Sequence, residues 1–246
     1  MLQSDDALIN LLTKRKQLFS KVVPFDAFKD KLLLMDFTSA TNYWFADVIN
    51  ETEAFSNYVQ QLLQQTQSRY GIGGYNEHRT IYARSDIFNN DKLKVTTGSK
   101  TVEPRRLHLG IDIWGPVGTP VYVPLGGVVH SFAFNNHYGD YGATIILQHQ
   151  LDTVVFHTLY GHLSLKDLDR LKEGKFVSQG ETIGHFGPPH ENGHWPPHLH
   201  FQLIKDMRVM KGDYPGVCKF SEREQYLRNC PNPDLILQMM QYAEKA

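Results

Sequence analysis

The chain has 246 residues, 41% hydrophobic and 21% charged, the balance of a soluble globular protein long enough for one large domain or one domain with an extension. Its 25 Lys and Arg against 26 Asp and Glu leave a net charge of -1, without the basic surplus that a nucleic-acid partner calls for. No run approaches the roughly 18 consecutive apolar residues of a membrane span, and residues 1–19, with Asp5 and Asp6 early and Lys14, Arg15 and Lys16 interrupting the apolar part, lack the basic start and unbroken core of an export signal, so a cytoplasmic location is expected.

In chain order, the first 70 residues read as helical. Leu8, Leu11, Leu12 and Phe19 recur near the helical period. A second helix is capped by Asn50 with Glu53 three residues on, carries Phe55, Val59, Leu62 and Leu63 as one apolar stripe, and is stopped by Gly71. From Ile81 to Thr101 the pattern weakens into a polar surface loop around Asn89, Asn90 and Asp91. From Leu107 to Ile204 strands dominate. Val121, Val123, Val128, Val129, Phe132 and Phe134 form one β-rich stretch, and Thr144–Leu147 and Thr153–Tyr160 are further strands joined by a hairpin loop at Gln150, Leu151 and Asp152. One short helix intervenes, capped by Ser164, with Leu168 and Leu171 inward and Gly174 at its end. The tail ends in a helix over Asp234–Tyr242. The expected layout is a helical extension and lead-in over 1–105, a β core over 106–205 and a helical tail over 206–246, mainly β with an antiparallel sheet or sandwich. Cys218 and Cys230 are expected to be reduced thiols, although their spacing permits a bridge.

Eleven of the 12 histidines lie between His108 and His200, where an even spread would place about five. Histidine is the commonest metal ligand and neutral-pH acid-base group. His130, His137, His157, His185, His190 and His194 are read as ordinary hydrogen-bonded residues, and His149 as a possible lining of the site. Two groups stand apart. In Pro197-His198-Leu199-His200-Phe201-Gln202-Leu203, strand alternation puts His198, His200 and Gln202 on one face and Leu199, Phe201 and Leu203 on the other. In His108-Leu109-Gly110-Ile111-Asp112, an imidazole and a carboxylate, both normal zinc ligands, share a face, and Gly110 favours a strand or bend over a helix. A catalytic zinc takes three protein ligands and keeps a position open. His108, Asp112 and one histidine of the His198–His200 pair supply that set. The remaining one, with His162, is free to act as acid or base.

Four stretches in one order, His-Leu-Gly-Ile-Asp at 108–112, Gly-Thr-Pro-Val-Tyr-Val-Pro-Leu-Gly-Gly-Val-Val at 118–129, Leu-Tyr-Gly-His-Leu-Ser at 159–164 and His-Leu-His-Phe at 198–201, resemble the lysostaphin-type (LytM) zinc metallopeptidases, the peptidoglycan endopeptidases. Val177–Gly184 is similar to that family's turn before the final strands. The resemblance implies an antiparallel β core of the duplicated hybrid motif type with its site in a groove, one zinc held by His108, Asp112 and His200, catalytic His162 and His198, and hydrolysis of an amide bond in a peptide or cell-wall fragment. Two departures stand out: such enzymes are usually exported, and the loop Phe186–Trp195 lacks the family's short Gly-Thr-Ser-rich turn. The lead-in Tyr75–Phe88 and tail Gly212–Leu237 resemble a minor branch whose core sits in large cytoplasmic fusion chains, between a kinase-like phosphotransferase and an aminotransferase.

Two other classes compete. A cupin-like metal-dependent oxygenase also uses two histidines and a carboxylate, but places its His-x-His pair before the carboxylate, the reverse of the order here. A non-enzymatic carrier or regulatory β module similar to biotinyl and lipoyl domains needs a modifiable lysine on an exposed hairpin, and no Met-Lys-Met-like turn lies between Val121–Val129 and Val177–Gly184. Finally, Glu77, Arg79 and Tyr82 form a dense polar run just before the metal core. The bland expectation is an exposed loop; the sharper one is that the extension folds over the groove, with Arg79 and Glu77 binding substrate and the Arg79 fork taking a substrate carboxylate.

Overall fold

Alternating β-branched and aromatic residues separated by tight turns build the centre of the molecule. The structure is a computed structural model and describes residues 6–38, 43–89 and 103–245. Most of the expected loop before Thr101 lies outside the described residues. Helix α1 (Ala7–Lys14), capped by Asp6, is followed by strand β1 (Leu32–Leu34), helices α2 (Tyr43–Asn50) and α3 (Thr52–Gln65), and strands β2 (Tyr70–Gly73) and β3 (Glu77–His78). The core carries β4 (Leu107–His108), β5 (Ile111–Trp114), β6 (Pro120–Tyr122), β7 (Gly127–Asn135), β8 (Gly142–Leu151), β9 (Val154–Leu163), β10 (Phe176–Val177), β11 (Thr182–His185) and β12 (His198–Ile204). The tail adds β13 (Val217–Cys218), α4 (Arg223–Asn229), α5 (Asp234–Leu237) and β14 (Ala243–Glu244).

Among the described residues a nine-stranded sheet runs β10-β7-β8-β9-β12-β5-β2-β1-β14, flanked by a two-stranded β11-β6 sheet and a three-stranded β13-β4-β3 sheet. Pairing is antiparallel throughout, apart from the parallel contacts β1–β2 and β1–β14. The helices of the expected extension are present; β1 and β2 join the core sheet beside them, and β14 closes its edge from the tail. The boundaries expected near 105 and 205 are crossed by these sheets.

Local chemistry explains the other differences. Helix α3 ends at Thr66, with Gln67 taking the left-handed conformation (φ 54) and Ser68 N–H closing on the Leu63 carbonyl. Gly71, expected as the stop, lies inside β2, where a side chain would strike Met35. Asn50 belongs to α2 and does not cap α3, whose N-cap is Glu51. The tail helix breaks early because Gln238 is left-handed (φ 52), leaving only a 3-10 turn over Met240–Tyr242. The helix expected after Ser164 is a single 3-10 turn, Leu165–Leu168, although Leu168 and Leu171 do pack on the core.

The alternation in β12 holds. Leu199, Phe201 and Leu203 enter the main apolar cluster with Ile145, Leu147, Phe156 and Tyr160, while His198, His200 and Gln202 face the other way. A second cluster lies behind the site: Phe55 of α3 meets Trp114 and Trp195, with ring centroids 6.2 and 6.5 Å away. The apolar stripe of α3 thus packs on the wall that holds His198.

Candidate active site

Strand register assembles the metal-ligating residues. On β12, His200 stands opposite Asp112 of β5, and His198 opposite Trp114. His108 of β4 is paired on one side with Glu77 of β3 and on the other with Val217 of β13. His108 Nε2 lies 2.9 Å from His200 Nδ1, and Asp112 Oδ1 lies 3.3 Å from the former and 3.0 Å from the latter. An ion held about 2.0–2.1 Å from each donor of a tetrahedral site needs them roughly 3.3 Å apart, so the triangle is slightly tight but of the right size.

Hydrogen bonds behind the triangle decide what its atoms are. The Gly74 carbonyl accepts from His108 Nδ1 at 2.8 Å, so that nitrogen carries the proton and Nε2 presents a lone pair. His200 Nε2 donates to Gln202 Oε1 at 2.9 Å. The amide is oriented by its own donation to the Pro215 carbonyl, and His200 Nδ1 is left as a lone pair. Burial works against the Asp112 carboxylate, yet with His108 neutral the charged Arg79 fork bonded to it still holds its pKa well below the usual range. Burial also pushes His108 down to about 3. With the rings in these tautomers three acceptors converge, an arrangement that suits a bound cation. Gly110 is required for it, since a Cβ there would stand 2.5 Å from the His200 ring.

His162 and His198 stand beside this triangle with ring centroids 4.0 Å apart. His198 Nδ1 donates to the Pro196 carbonyl and His162 Nδ1 to the Asn192 carbonyl, each at 2.7 Å, so both keep Nε2 as a base. Burial pushes His198 down to about 4 and His162 well below its ordinary value, and the charge of His198 lowers His162 further. Trp114 stacks on His198 at 4.0 Å with planes 19° apart. His162 is held in the left-handed region (φ 62), its N–H bonded to the Tyr141 carbonyl and its carbonyl to Gly187 N–H. The loop that departs from the expected pattern supplies this hold. Asn192 is fully buried and ties Gly187 and Trp195 together while its carbonyl takes the His162 proton.

Asp112 and His200 of the triangle line a cavity of about 490 Å³ together with His162 and His198. Its wall is shared by the lead-in (Tyr82, Phe88), the core (Asp140, Tyr141) and the tail (Asp213, Lys219). Burial raises the pKa of the Asp140 and Asp213 carboxyls. Ile81, Tyr82 and Phe88, expected in a polar surface loop, are buried because the lead-in folds against the cavity.

Arg79 and Glu77, expected to bind substrate, are paired with each other, and Arg79 is also paired with Asp112. Arg79 is fully buried, with Nη1 held by Asp112 Oδ2 and Nε by Glu77 Oε2, both at 2.5 Å, while Nη2 has no hydrogen-bond partner and the side chain borders the cavity. His149 does not line the cavity: it bonds the Gly126 carbonyl and Thr158. Both cysteines are free and buried. Residues missed from sequence are Trp114, Tyr141, Asn192 and Trp195. The strand-face position of Trp114, two residues after Asp112, and the Gly139-Asp140-Tyr141-Gly142 turn were the available signals.

A β-sheet face bearing a His-Asp-His triangle beside two further histidines is a group that could hold a metal ion. In comparison with known proteins, residues 106–212 match peptidase family M23. The chain is 33% identical over 138 residues to the peptidoglycan DD-endopeptidase ShyA of Vibrio cholerae, covering 51% of this chain and 30% of that one. It is 32% identical over 107 residues to the L-Ala--D-Glu endopeptidase of Bacillus subtilis, covering 42% and 31%. Among solved structures, the catalytic domain of lysostaphin from Staphylococcus simulans aligns at 20% identity and TM-score 0.36, covering 70% of this chain and 96% of that one. The chain spans less than a third of the length of these two curated relatives.

Proposed function

We propose that this chain is a zinc-dependent hydrolase of amide bonds in short peptides or cell-wall-derived fragments, with His108, Asp112 and His200 as the metal ligands and His162 and His198 as the acid-base pair. The observation that carries the reading is the convergence of three acceptors, His108 Nε2, Asp112 Oδ1 and His200 Nδ1, with two neutral imidazoles beside them. Zinc bound there would polarise the scissile carbonyl and lower the pKa of a water to about 7. His162 and His198 enter neutral, so one Nε2 takes the water's proton; because a charge on His198 opposes one on His162, the second stays neutral and hydrogen-bonds the reacting group. The protonated ring then returns its proton to the leaving amine. The order of the carboxylate before the His-x-His pair, and the M23 match, favour this over a cupin-like oxygenase or a carrier module.

The cavity also bears on substrate size. Lead-in and tail residues wall it on two sides, which favours soluble fragments over polymeric wall. The test is to measure bound metal and peptide cleavage in the His108→Ala, Asp112→Ala and His200→Ala variants. Each loses both in this reading, and full metal occupancy in all three overturns the ligand assignment.

A further inference from the structure

The residue with the most unusual setting lies outside the family-matched segment. Arg79 follows β3 and is bonded into the fold at its backbone, its N–H donating to the Arg106 carbonyl at 2.9 Å. Its guanidinium lies 5.5 Å from the Phe37 ring centroid and has no exposure to solvent. One arm donates to the Asp112 oxygen that does not face the histidines, and the Nε side is anchored on Glu77. Asp112 therefore has its two oxygens divided: Oδ1 toward His108 and His200, Oδ2 toward Arg79. Room for this is made by Gly74. A Cβ there would stand 1.8 Å from Arg79 Nη2 and 2.8 Å from His108 Nδ1, and its φ of +108° is one that a side chain rarely adopts. The same short stretch thus offers the Gly74 carbonyl to His108 and the Arg79 fork to Asp112.

We infer that Arg79 is a positioning residue that keeps Asp112 a one-oxygen ligand, so that the lead-in completes a centre whose three ligands all lie in the M23 segment. The inference rests on the metal-site reading above. An ionised carboxylate next to a cation can turn to offer both oxygens; a charge-assisted bond on Oδ2 removes that option and fixes the plane of the group. The division of labour suits an arginine. Its rigid fork reaches Asp112 and Glu77 at once, whereas a lysine ammonium is a single point on a flexible stem. It also explains why a cation is buried so near a proposed cation site: Asp112 and Glu77 neutralise it from two sides, and Arg79 stays protonated because both carboxylates outweigh the burial that opposes it.

The experiment uses the full chain with Arg79→Lys, which keeps the buried charge, and Arg79→Met, which removes it. Cobalt(II) serves as a spectroscopic probe and zinc affinity is measured by competition with a chelator. Wild type is expected to give the intense visible absorption of four-coordinate cobalt. Loss of an outer partner of a ligand costs about 10–100-fold in metal affinity; Arg79→Met should fall in that range and Arg79→Lys near its lower end. Both should show a weaker cobalt spectrum of higher coordination as Asp112 turns in its second oxygen. If Arg79→Met does not fold, Arg79→Lys decides the matter alone. A folded Arg79→Lys with wild-type zinc affinity and cobalt spectrum overturns the positioning role while leaving the metal site intact. A wild-type protein that binds neither metal overturns the site reading itself, and the inference with it.

Discussion

Gly110→Ala is the smallest change that should empty the proposed centre. The new Cβ would stand 2.5 Å from His200 Cε1, 2.6 Å from Nε2 and 2.9 Å from the Phe201 carbonyl oxygen, whereas ordinary contact begins at 3.4 Å. The shortfall at the ring is roughly 0.9 Å, and a misplacement of about 1 Å at a reacting centre is enough to cost ~10²-fold. His200 has no easy escape: its strand is paired on both sides, and its far nitrogen is tied to Gln202. Forcing a methyl into such a space costs about 1–3 kcal/mol of stability, so the variant should still fold while binding zinc at least ~10-fold more weakly, as expected when ligand geometry is lost. Thermal unfolding of the metal-free protein and chelator competition measure the two effects separately. A Gly110→Ala protein that folds and binds zinc as tightly as wild type would show that His200 is not held where the triangle needs it.

Three further outcomes follow. Gln202→Met removes the acceptor behind His200 and leaves the Pro215 carbonyl without the amide donor; zinc affinity should drop about 10–100-fold and stability by about 2–4 kcal/mol for the buried groups stranded, and an unchanged affinity by chelator competition would deny Gln202 its orienting role. His162→Ala and His198→Ala should retain metal by elemental analysis but lose about 10²–10⁴-fold in turnover; loss of metal from either folded variant would make that histidine a ligand. His149 titrates near 4 in the folded state because of burial, below the unfolded value near 6.5. The unfolded chain therefore binds the proton first, and His149's contribution is complete above about pH 6.5 and lost as pH falls toward 4. The loss is on the order of 3 kcal/mol. His149→Gln should flatten the pH dependence of urea unfolding over that window by this amount, and an unaltered slope would contradict the assignment.

The chemistry of this site was far more legible in the sequence than its architecture. His198, His200 and Gln202 alternate on a strand, so a local rule placed them on one face, and Gly110 correctly argued against a helix between His108 and Asp112. What remained hidden depends on long-range pairing. Leu32–Leu34 and Tyr70–Gly73 are too short, and the latter too glycine-rich, to announce themselves as strands; they become so only because β5 and β14 offer edges. Gly71 looked like a helix stop for the same reason. Arg79 was noticed for its fork, but its true partner, Asp112, lies 33 residues away and is reached only through the β3–β4 pairing. The left-handed Gln67 and Gln238 end helices without the glycine that usually marks such a place.

The most direct test of the central claim is mass-spectrometric digestion of a panel of soluble muropeptides and short peptides by the purified chain, stripped of metal and then reloaded with one equivalent of zinc. The account predicts no cleavage by the stripped protein and, on reloading, hydrolysis of one amide bond in at least one of these substrates, identified by a product pair whose masses sum to substrate plus water. Cleavage that persists without metal, or a zinc-loaded protein that cuts none of them, would contradict it.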